Sequence, residues 1–327
     1  ARSTFDVRTS AAITVDRLGE RLVDFTKLYA SGVRVFTDDG TVVDDPVLME
    51  GALQATANMP GAVISQHAEE STMVEGGVIN EGAVSQRLGL KGRPSEAEAV
   101  IVQRDIALAA KTGGRYHVLH MSTAEAPHLV RSAKAAGTRV TSEVTPQHLV
   151  LTEEDVERLG SSGKMNPPLR TGDDVAALRA GLLDNTIDAI ATDHAPHSYE
   201  DKKLPYGKAP AGIPLIEHSF HMMIELHKQG YYSLEEVIAY MSHKVADRFS
   251  IQDRGYVREG YKADLMMFDL DKTTPVTNET EKTKCGWTPF DGHKFSSTVL
   301  GTIINGKPIV IDGKLSEDSS SAEQILF

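Results

Sequence analysis

Short apolar runs alternate with segments of helical periodicity through the first three quarters of the chain. Apolar residues at helical spacing predict a helix over 14–31, and Pro94-Ser95-Glu96 is expected to open a long helix that ends near 112. A Gly-rich stretch over 76–93 is expected to be a loop. The apolar runs short enough to be strands are 33–37, 62–66, 116–120, 139–144 and 187–191. This alternation predicts a parallel sheet covered by helices, as either a closed barrel or a doubly wound sheet.

An acidic residue or a histidine stands at the end of each of these strands. These residues are Asp38 with Asp39, His67, His120, Glu143 and Asp193. Barrel enzymes carry their chemistry at the carboxyl ends of their strands, and no Gly-rich phosphate fingerprint follows any strand here, which weakens the dinucleotide-binding alternative. Because a closed barrel of this type has eight strands, the fold class expected is α/β, an incomplete TIM-type (β/α)8 barrel.

The residue pattern changes after about residue 250. Glycines separate short β-like runs there, of which 263–268 and 299–304 are strand candidates. Asn305-Gly306 is a typical hairpin turn. We therefore predict a barrel over 1–250, followed by a small C-terminal β appendage and a tail over 251–327.

Composition restricts the classes of partner. The 327 residues include 34 Lys and Arg against 46 Asp and Glu, a net charge of -12. An acidic surface repels phosphate backbones and anionic lipids, so we expect neither nucleic acid nor a membrane as a partner. Cys285 is the only cysteine, which excludes an internal disulfide and a cysteine-based zinc site and fits a cytoplasmic location.

Asp39, His67, His120 and Asp193 are the candidate metal ligands. Imidazole and carboxylate ligands together suit zinc or a similar divalent ion. Two such ions can activate water and polarise a carbonyl, while a nearby carboxylate passes the proton to a leaving nitrogen. Asp193 is the best candidate for that carboxylate, because the segment around it is densest in polar groups. Each element alone also has a structural interpretation: Asp38-Asp39-Gly40 is a good turn sequence, and His67 could cap a helix.

Strand parity separates two histidines of the third strand. His120 shares parity with Tyr116 and Val118 and is expected to point into the barrel. His117 has the opposite parity and is expected to face the helical layer as a structural residue.

Four further positions are candidate contacts for a small-molecule substrate. Asn166, in a proline-stiffened segment, offers a donor and an acceptor to a cyclic amide. His197 and Lys202 suit an anionic group, and Gly212 lets the backbone approach a ligand closely.

Eight stretches of the chain form a pattern when they are taken together: FTDDG (36–40), HAEE (67–70), HVLHMST (117–123), TSEVTPQHL (141–149), KMNPPLR (164–170), ATDHAPH (191–197), APAGIPLIE (209–217) and GYKADLMMFD (260–269). As a set they resemble the class I dihydroorotases, which are binuclear zinc amidohydrolases of pyrimidine biosynthesis. The resemblance implies a distorted barrel, a small β domain and two zinc ions. The implied reaction interconverts L-dihydroorotate and N-carbamoyl-L-aspartate. A homo-oligomer or an association with aspartate transcarbamoylase is also compatible with it.

The resemblance further implies roles for the candidate ligands. Asp39 would bridge the two metals, with Asp38 as the alternative. His67 and His120 would bind the second metal. Asp193 would be both a metal ligand and the general acid and base.

Substrate contacts follow from the same resemblance. Asn166 and the backbone of Gly212 would contact the pyrimidine ring, and His197 would contact the substrate carboxylate. Hydantoinases and allantoinases are the alternative cyclic amidohydrolases, but they usually bridge their metals with a carboxylated lysine, where this chain has Asp38-Asp39.

The family's His-x-His-x-Arg motif is absent from the sequence. In the family this motif supplies two ligands of the first metal and an Arg for the substrate carboxylate. We therefore expect that roughly a hundred residues, the first three barrel units, belong before Ala1, and that the 327 residues alone are inactive and unstable. A non-catalytic homologue is the remaining alternative.

Overall fold

The structure, a computed structural model, describes residues 6–316 of the chain. Their contacts divide them into two compact units. The larger unit consists of Ser10–Glu217 and Glu281–Pro289, and the smaller unit contains His218–Thr280 together with the residues before Ser10 and after Pro289. The domain boundary proposed at residue 250 stays a prediction, and the end of the predicted tail, from residue 317 onward, lies outside the described residues.

The larger unit is built around a parallel sheet. Its strands are β1 (Val35–Phe36), β2 (Val63–Gln66), β3 (Ile79–Asn80), β4 (Gly92–Arg93), β5 (Tyr116–Val118), β6 (Val140–Val144) and β7 (Ala189–Ile190). The main sheet has the order β1-β2-β5-β6-β7, with every neighbouring pair parallel. All five strands predicted from the apolar runs are therefore confirmed.

Helices connect these strands. They are α1 (Phe25–Ala30), α2 (Pro46–Thr56), α3 (Ser71–Val74), α4 (Ala83–Leu88), α5 (Glu96–Thr112), α6 (Glu125–Ala135), α7 (Pro146–Val150), α8 (Asp155–Leu159), α9 (Gly172–Leu183) and α10 (Tyr199–Lys202), with short 3-10 turns at Val15–Arg17 and Gly160–Gly163. The long helix α5 begins where Pro94-Ser95-Glu96 predicted it. Strand, helix and parallel strand in succession form the connectivity of a (β/α) barrel.

Two predictions for the first hundred residues are wrong. The helix predicted over 14–31 is confined to α1, because Gly19 has a φ of +67° and the Asp24 side chain accepts the backbone N–H of Lys27 to start a new helix. The Gly-rich segment is an ordered β3–α4–β4 unit rather than a loop. Its glycines allow close packing, since a Cβ at Gly77 would lie 2.5 Å from the carbonyl oxygen of Gly92.

The sheet has a further parallel partner that no apolar run predicted. Ala11 forms a parallel bridge with Phe36, its N–H donating to Val35 and its carbonyl accepting from Thr37. The sheet therefore continues past β1 toward the amino-terminal segment, although Ala11 stands in no apolar run long enough to predict a strand.

The smaller unit, described by itself, is helical and then β. Its helices are α11 (Ser219–Lys228), α12 (Leu234–Ile238) and α13 (Lys244–Arg248), with a π-helical turn at Ala239–His243. Its strands are β8 (Leu265–Asp269), β9 (Thr274–Pro275), β10 (Lys294–Phe295), β11 (Thr298–Ile304), β12 (Lys307–Ile311) and β13 (Lys314–Leu315). The predicted hairpin is confirmed, because Asn305 and Gly306 both have positive φ between the antiparallel β11 and β12.

Within residues 6–316, none of the helices is both long and apolar enough to span a lipid bilayer.

Candidate metal centre and substrate pocket

Three candidate ligands meet beyond the carboxyl ends of β1, β2 and β5. The Nδ1 of His67 lies 3.2 Å from the Nε2 of His120. The Oδ1 of Asp39 lies 3.4 Å from the Nε2 of His120 and 3.7 Å from the Nδ1 of His67. The three ligand atoms lie within 4.8 Å of one another. Two imidazoles and one carboxylate are a common protein ligand set for a catalytic zinc ion, so these residues fit one divalent ion.

The charges around this cluster favour a cation. Burial alone would lower the pKa of His120, but the hydrogen bond to Asp39 and the charges of Asp193, Asp39 and Glu143 raise it to about 9. Burial also opposes ionisation of Asp39, yet the hydrogen bond to His120 and the two imidazoles lower its pKa to about 2. The same negative charges that hold a proton on His120 would stabilise a divalent cation in its place.

The two adjacent aspartates have different surroundings. Asp38 is buried, and its carboxylate accepts hydrogen bonds from the backbone N–H groups of Ile13 and Thr14, at 2.7 and 3.1 Å, and from the Thr14 hydroxyl. The Asp39 carboxylate faces the histidines instead. The geometry therefore favours Asp39 as the ligand, whereas Asp38 binds the amino-terminal segment through Ile13 and Thr14.

The prediction that His117 faces the helical layer is wrong. The Gln66 amide, on the same face as Tyr116 and Val118, donates to Asp105 of α5 at 2.8 Å, so this face packs on the helices. His117 lies on the opposite face, where its nitrogens are 2.6 Å from the Thr141 hydroxyl and 3.1 Å from a Glu143 carboxylate oxygen.

His120 reaches the cluster because it follows the end of β5 with a φ of 26°, so strand alternation no longer applies to it.

Asp193 lies near this cluster but outside it. The described residues contain one group of three mutually close ligands, and Asp193 does not belong to it. Its pKa is raised, chiefly by burial and also by the charges of Asp39 and Glu143, against the opposing effect of His120 and His67. Its φ of 46° is unusual for a residue other than glycine. Backbone strain of this kind is concentrated at functional sites.

A polar network links Asn166 to the cluster. The Asn166 amide nitrogen lies 3.3 Å from the Nε2 of His67, and its oxygen accepts from the Arg93 guanidinium at 2.6 Å. The same guanidinium nitrogen donates to both carboxylate oxygens of Glu69, at 3.0 and 2.8 Å, and one of these oxygens lies 3.5 Å from the Nε2 of His67. Burial opposes ionisation of Glu69, but His67 and Arg93 lower its pKa.

Glu69 and Arg93 are site residues that were not predicted. Glu69 belongs to the stretch HAEE (67–70), so its position two residues after His67 was the available indication. Nothing in the sequence marks Arg93, because its partners stand 24 and 73 residues away. Glu69 and Arg93 line a cavity of about 420 Å³ together with His67 and Asn166. Residues of the amino-terminal segment, of the turn after Asp39 and of α3 complete its lining: Arg17, Leu18, Gly40, Thr41, Val42, Asp44 and Ser71.

The other three predicted substrate contacts, His197, Lys202 and Gly212, are engaged within the protein. The Nε2 of His197 donates to the Ala211 carbonyl at 2.9 Å. The Gly212 N–H donates to the Lys164 carbonyl at 2.9 Å, and the Gly212 carbonyl accepts from Lys202 at 3.0 Å. Gly212 is required where it stands, because its φ is +120° and a Cβ would lie 2.6 Å from the Ala195 oxygen.

Sequence comparison identifies the family. The family model described as dihydro-orotase-like matches residues 1–126. The dihydroorotase of Bacillus cereus (strain G9842) is 42% identical over 297 residues, which cover 90% of this chain and 69% of that protein. The dihydroorotase of Bacillus thuringiensis (strain Al Hakam) matches with the same identity and coverage. The chain belongs to the dihydroorotase family.

Solved structures agree on the fold. The L-hydantoinase (dihydropyrimidinase) of Arthrobacter aurescens superimposes with a TM-score of 0.87 at 25% identity, over 99% of this chain and 74% of that one. The dihydropyrimidinase of Brevibacillus agri NCHU1002 gives a TM-score of 0.84 at 22% identity, over 98% and 73% of the two chains. The fold is therefore that of the barrel-type amidohydrolases.

Family membership fixes the class of reaction. The chain is a hydrolase that acts on cyclic amides, and its function is that of a dihydroorotase. The hydantoinase alternative fits less well, because the identity to the dihydroorotases is 42% whereas the identity to the hydantoinase of similar fold is 25%.

Proposed function

We propose that the protein interconverts L-dihydroorotate and N-carbamoyl-L-aspartate in a zinc-dependent reaction with two ions in the complete active site. The observation that carries the proposal is the meeting of Asp39, His67 and His120 in a chain 42% identical to dihydroorotases. These three residues would hold one ion, with Asp39 facing both histidines. A divalent ion bound there would activate water and polarise the ring carbonyl.

Asp193 is the proposed carrier of the proton. Hydrolysis forms a bond from a water oxygen to the ring carbonyl carbon and breaks the bond from that carbon to the ring nitrogen. Asp193 would accept the proton of the attacking water on its carboxylate and deliver it to the departing nitrogen, and ring closure reverses each step. Burial supports this role, because it raises the pKa of Asp193 and so makes the protonated carboxyl accessible.

Asn166 and His197 are the proposed orienting residues. Arg93 can only donate, so it fixes the Asn166 oxygen toward itself and leaves the N–H groups of the amide for a ring oxygen of the substrate, since the Nε2 of His67 carries a proton when its Nδ1 binds the metal. His197 donates its Nε2–H to Ala211, so a contact of its Nδ1 with the substrate carboxylate would require a proton on that nitrogen as well.

Turnover of both compounds by the purified protein, expressed from its complete coding sequence, tests the proposal. We expect zinc-dependent turnover in both directions, followed by chromatography, and no comparable turnover of hydantoin. The Asp193→Asn variant should lose about 10²–10⁴-fold in kcat and retain metal bound at Asp39, His67 and His120. A protein that turns over neither compound with zinc bound would favour the non-catalytic homologue, and preferential turnover of hydantoin would favour a hydantoinase.

A cytoplasmic location and self-association or association with aspartate transcarbamoylase belong to the same proposal. Light scattering of the purified protein, alone and mixed with the transcarbamoylase of its own organism, distinguishes these assemblies.

A further inference from the structure

The segment 209–212 has all four of its carbonyl groups bound by side chains that can carry a positive charge. Lys164 donates to the Ala209 carbonyl at 2.7 Å, and Lys202 donates to the Pro210 carbonyl at 2.9 Å. His197 donates to the Ala211 carbonyl at 2.9 Å and Lys202 to the Gly212 carbonyl at 3.0 Å. We name Lys164, Lys202 and His197 the carbonyl clamp of this segment.

The two lysines of the clamp are unusual in their burial. Lys164 and Lys202 expose 7% and 3% of their surface. In the described part of the chain, neither forms an ion pair with a carboxylate, and their Nζ atoms instead donate to backbone carbonyls: Tyr206 and Ala209 for Lys164, and Lys164, Pro210 and Gly212 for Lys202. Burying an ammonium without a carboxylate is costly, and burial accordingly lowers the pKa of Lys202 to about 8. Because burying these two ammonium groups costs free energy, we infer that the lysines have a role that apolar side chains could not fill.

The clamp joins the segments that carry the proposed substrate contacts. Lys164 stands two residues before Asn166, and its own carbonyl accepts the Gly212 N–H at 2.9 Å. Lys202 follows His197 on the next helix, α10, and its Nζ lies 5.3 Å from the centre of the Trp287 ring. The Trp287 indole N–H in turn donates to the His197 carbonyl at 2.8 Å. One set of contacts thus fixes Asn166, His197 and Gly212 relative to one another.

We propose that Lys202, supported by Lys164, is a positioning residue that holds the segment 209–212 and His197 in the geometry that binds the substrate. This inference rests on the proposed function. It assigns neither lysine a contact with the substrate: each acts through the backbone it binds. A chain without the Lys202 ammonium would leave the Pro210 and Gly212 carbonyls without that donor, and the segment would lose its fixed place beside Lys164.

The test compares Lys202→Met with Lys202→Arg and with Lys203→Met. Met keeps much of the length and apolar character of the side chain but cannot donate, whereas Arg retains donors. Lys203 is the matched control, because it is the next residue and its half-exposed side chain pairs with Glu200 on the surface. Each protein, expressed from its complete coding sequence with zinc, is assayed for kcat and KM toward dihydroorotate.

We expect Lys202→Met to raise KM about tenfold with a smaller change in kcat, Lys202→Arg to recover part of the loss, and Lys203→Met to match the wild type. Trp287 emission provides a second readout: it should shift in Lys202→Met and stay unchanged in Lys203→Met, with Trp287→Phe identifying the contribution of this indole. Unchanged KM and emission in Lys202→Met would overturn the proposal.

Three further results would separate a failure of this inference from a failure of the proposed function. A Lys202→Met protein that is unfolded by circular dichroism, or one whose kcat falls at constant KM, would assign Lys202 to stability alone and overturn the proposal. A wild-type protein with no turnover of dihydroorotate would instead overturn the proposed function, and Trp287 emission would then decide whether Lys202 still holds the segment.

Discussion

The Nη1 of Arg93 donates a hydrogen bond at 2.6 Å to the side-chain oxygen of Asn166, across 73 residues of sequence. The same nitrogen binds Glu69, whose carboxylate faces His67. One guanidinium therefore orients both a proposed substrate contact and the outer partner of a candidate ligand. Such outer partners fix the orientation of the ligand side chain that they bind.

Replacement of Arg93 by Met should release Asn166 and Glu69 together. We expect kcat/KM to fall roughly 10–100-fold, the usual cost of losing an outer partner, and zinc affinity to fall as well. Steady-state kinetics and a zinc titration measure the two effects. Arg87→Met is the control, because Arg87 is half-exposed and pairs with Glu154 and Glu157 on the surface. Equal kinetics for the two variants would remove Arg93 from the site.

The neighbouring aspartates should separate metal binding from stability. Asp39→Asn removes a ligand charge, so we expect the bound zinc, measured by mass spectrometry, to fall by at least about tenfold at a fixed free concentration. Asp38→Asn should keep the zinc but lower the free energy of unfolding by about 2–3 kcal/mol, because its carboxylate accepts hydrogen bonds from Ile13 and Thr14. The reverse pattern would show that Asp38 is the ligand.

Gly212→Ala should disturb the substrate segment. Its φ of +120° is unfavourable for alanine, and the new Cβ would lie 2.6 Å from the Ala195 oxygen. We expect KM to rise and the free energy of unfolding to fall by about 1–3 kcal/mol. Gly207→Ala is the matched control in the same region, since a Cβ there meets no atom within 4 Å. Kinetics and denaturant unfolding of the pair check this, and equal effects at both positions would contradict the packing argument.

The acidic residues and histidines that follow the strands indicated more of the site than strand parity did. The strands and their polar termini follow from local sequence, because apolar runs and the acidic residues and histidines after them are visible without any partner. Parity failed for His117 and His120, because alternation stops where β5 ends and His120 takes a positive φ. The sequence did not indicate Arg93 or Lys164, and it indicated Lys202 only as a contact for an anionic group. Their importance lies in hydrogen bonds to residues and carbonyls that only the fold brings near.

His148 should make the protein sensitive to acid. Its Nε2 lies 3.1 Å from the Pro167 carbonyl, which can only accept, so this nitrogen carries the proton and Nδ1 accepts from the Thr145 hydroxyl at 2.6 Å. Burial lowers its pKa to about 3 from an ordinary value of 6.5. Below pH 6.5 the unfolded chain binds a proton that the folded chain refuses, so stability is present above that pH and is lost toward pH 3, by up to about 1.4 kcal/mol per pH unit. The free energy of unfolding, measured with urea between pH 7 and pH 4, should therefore fall less steeply with pH in His148→Gln than in the wild type. The exposed His128→Gln is the control and should keep the pH dependence of the wild type. An equal pH dependence in all three proteins would mean that His148 is protonated in the folded state.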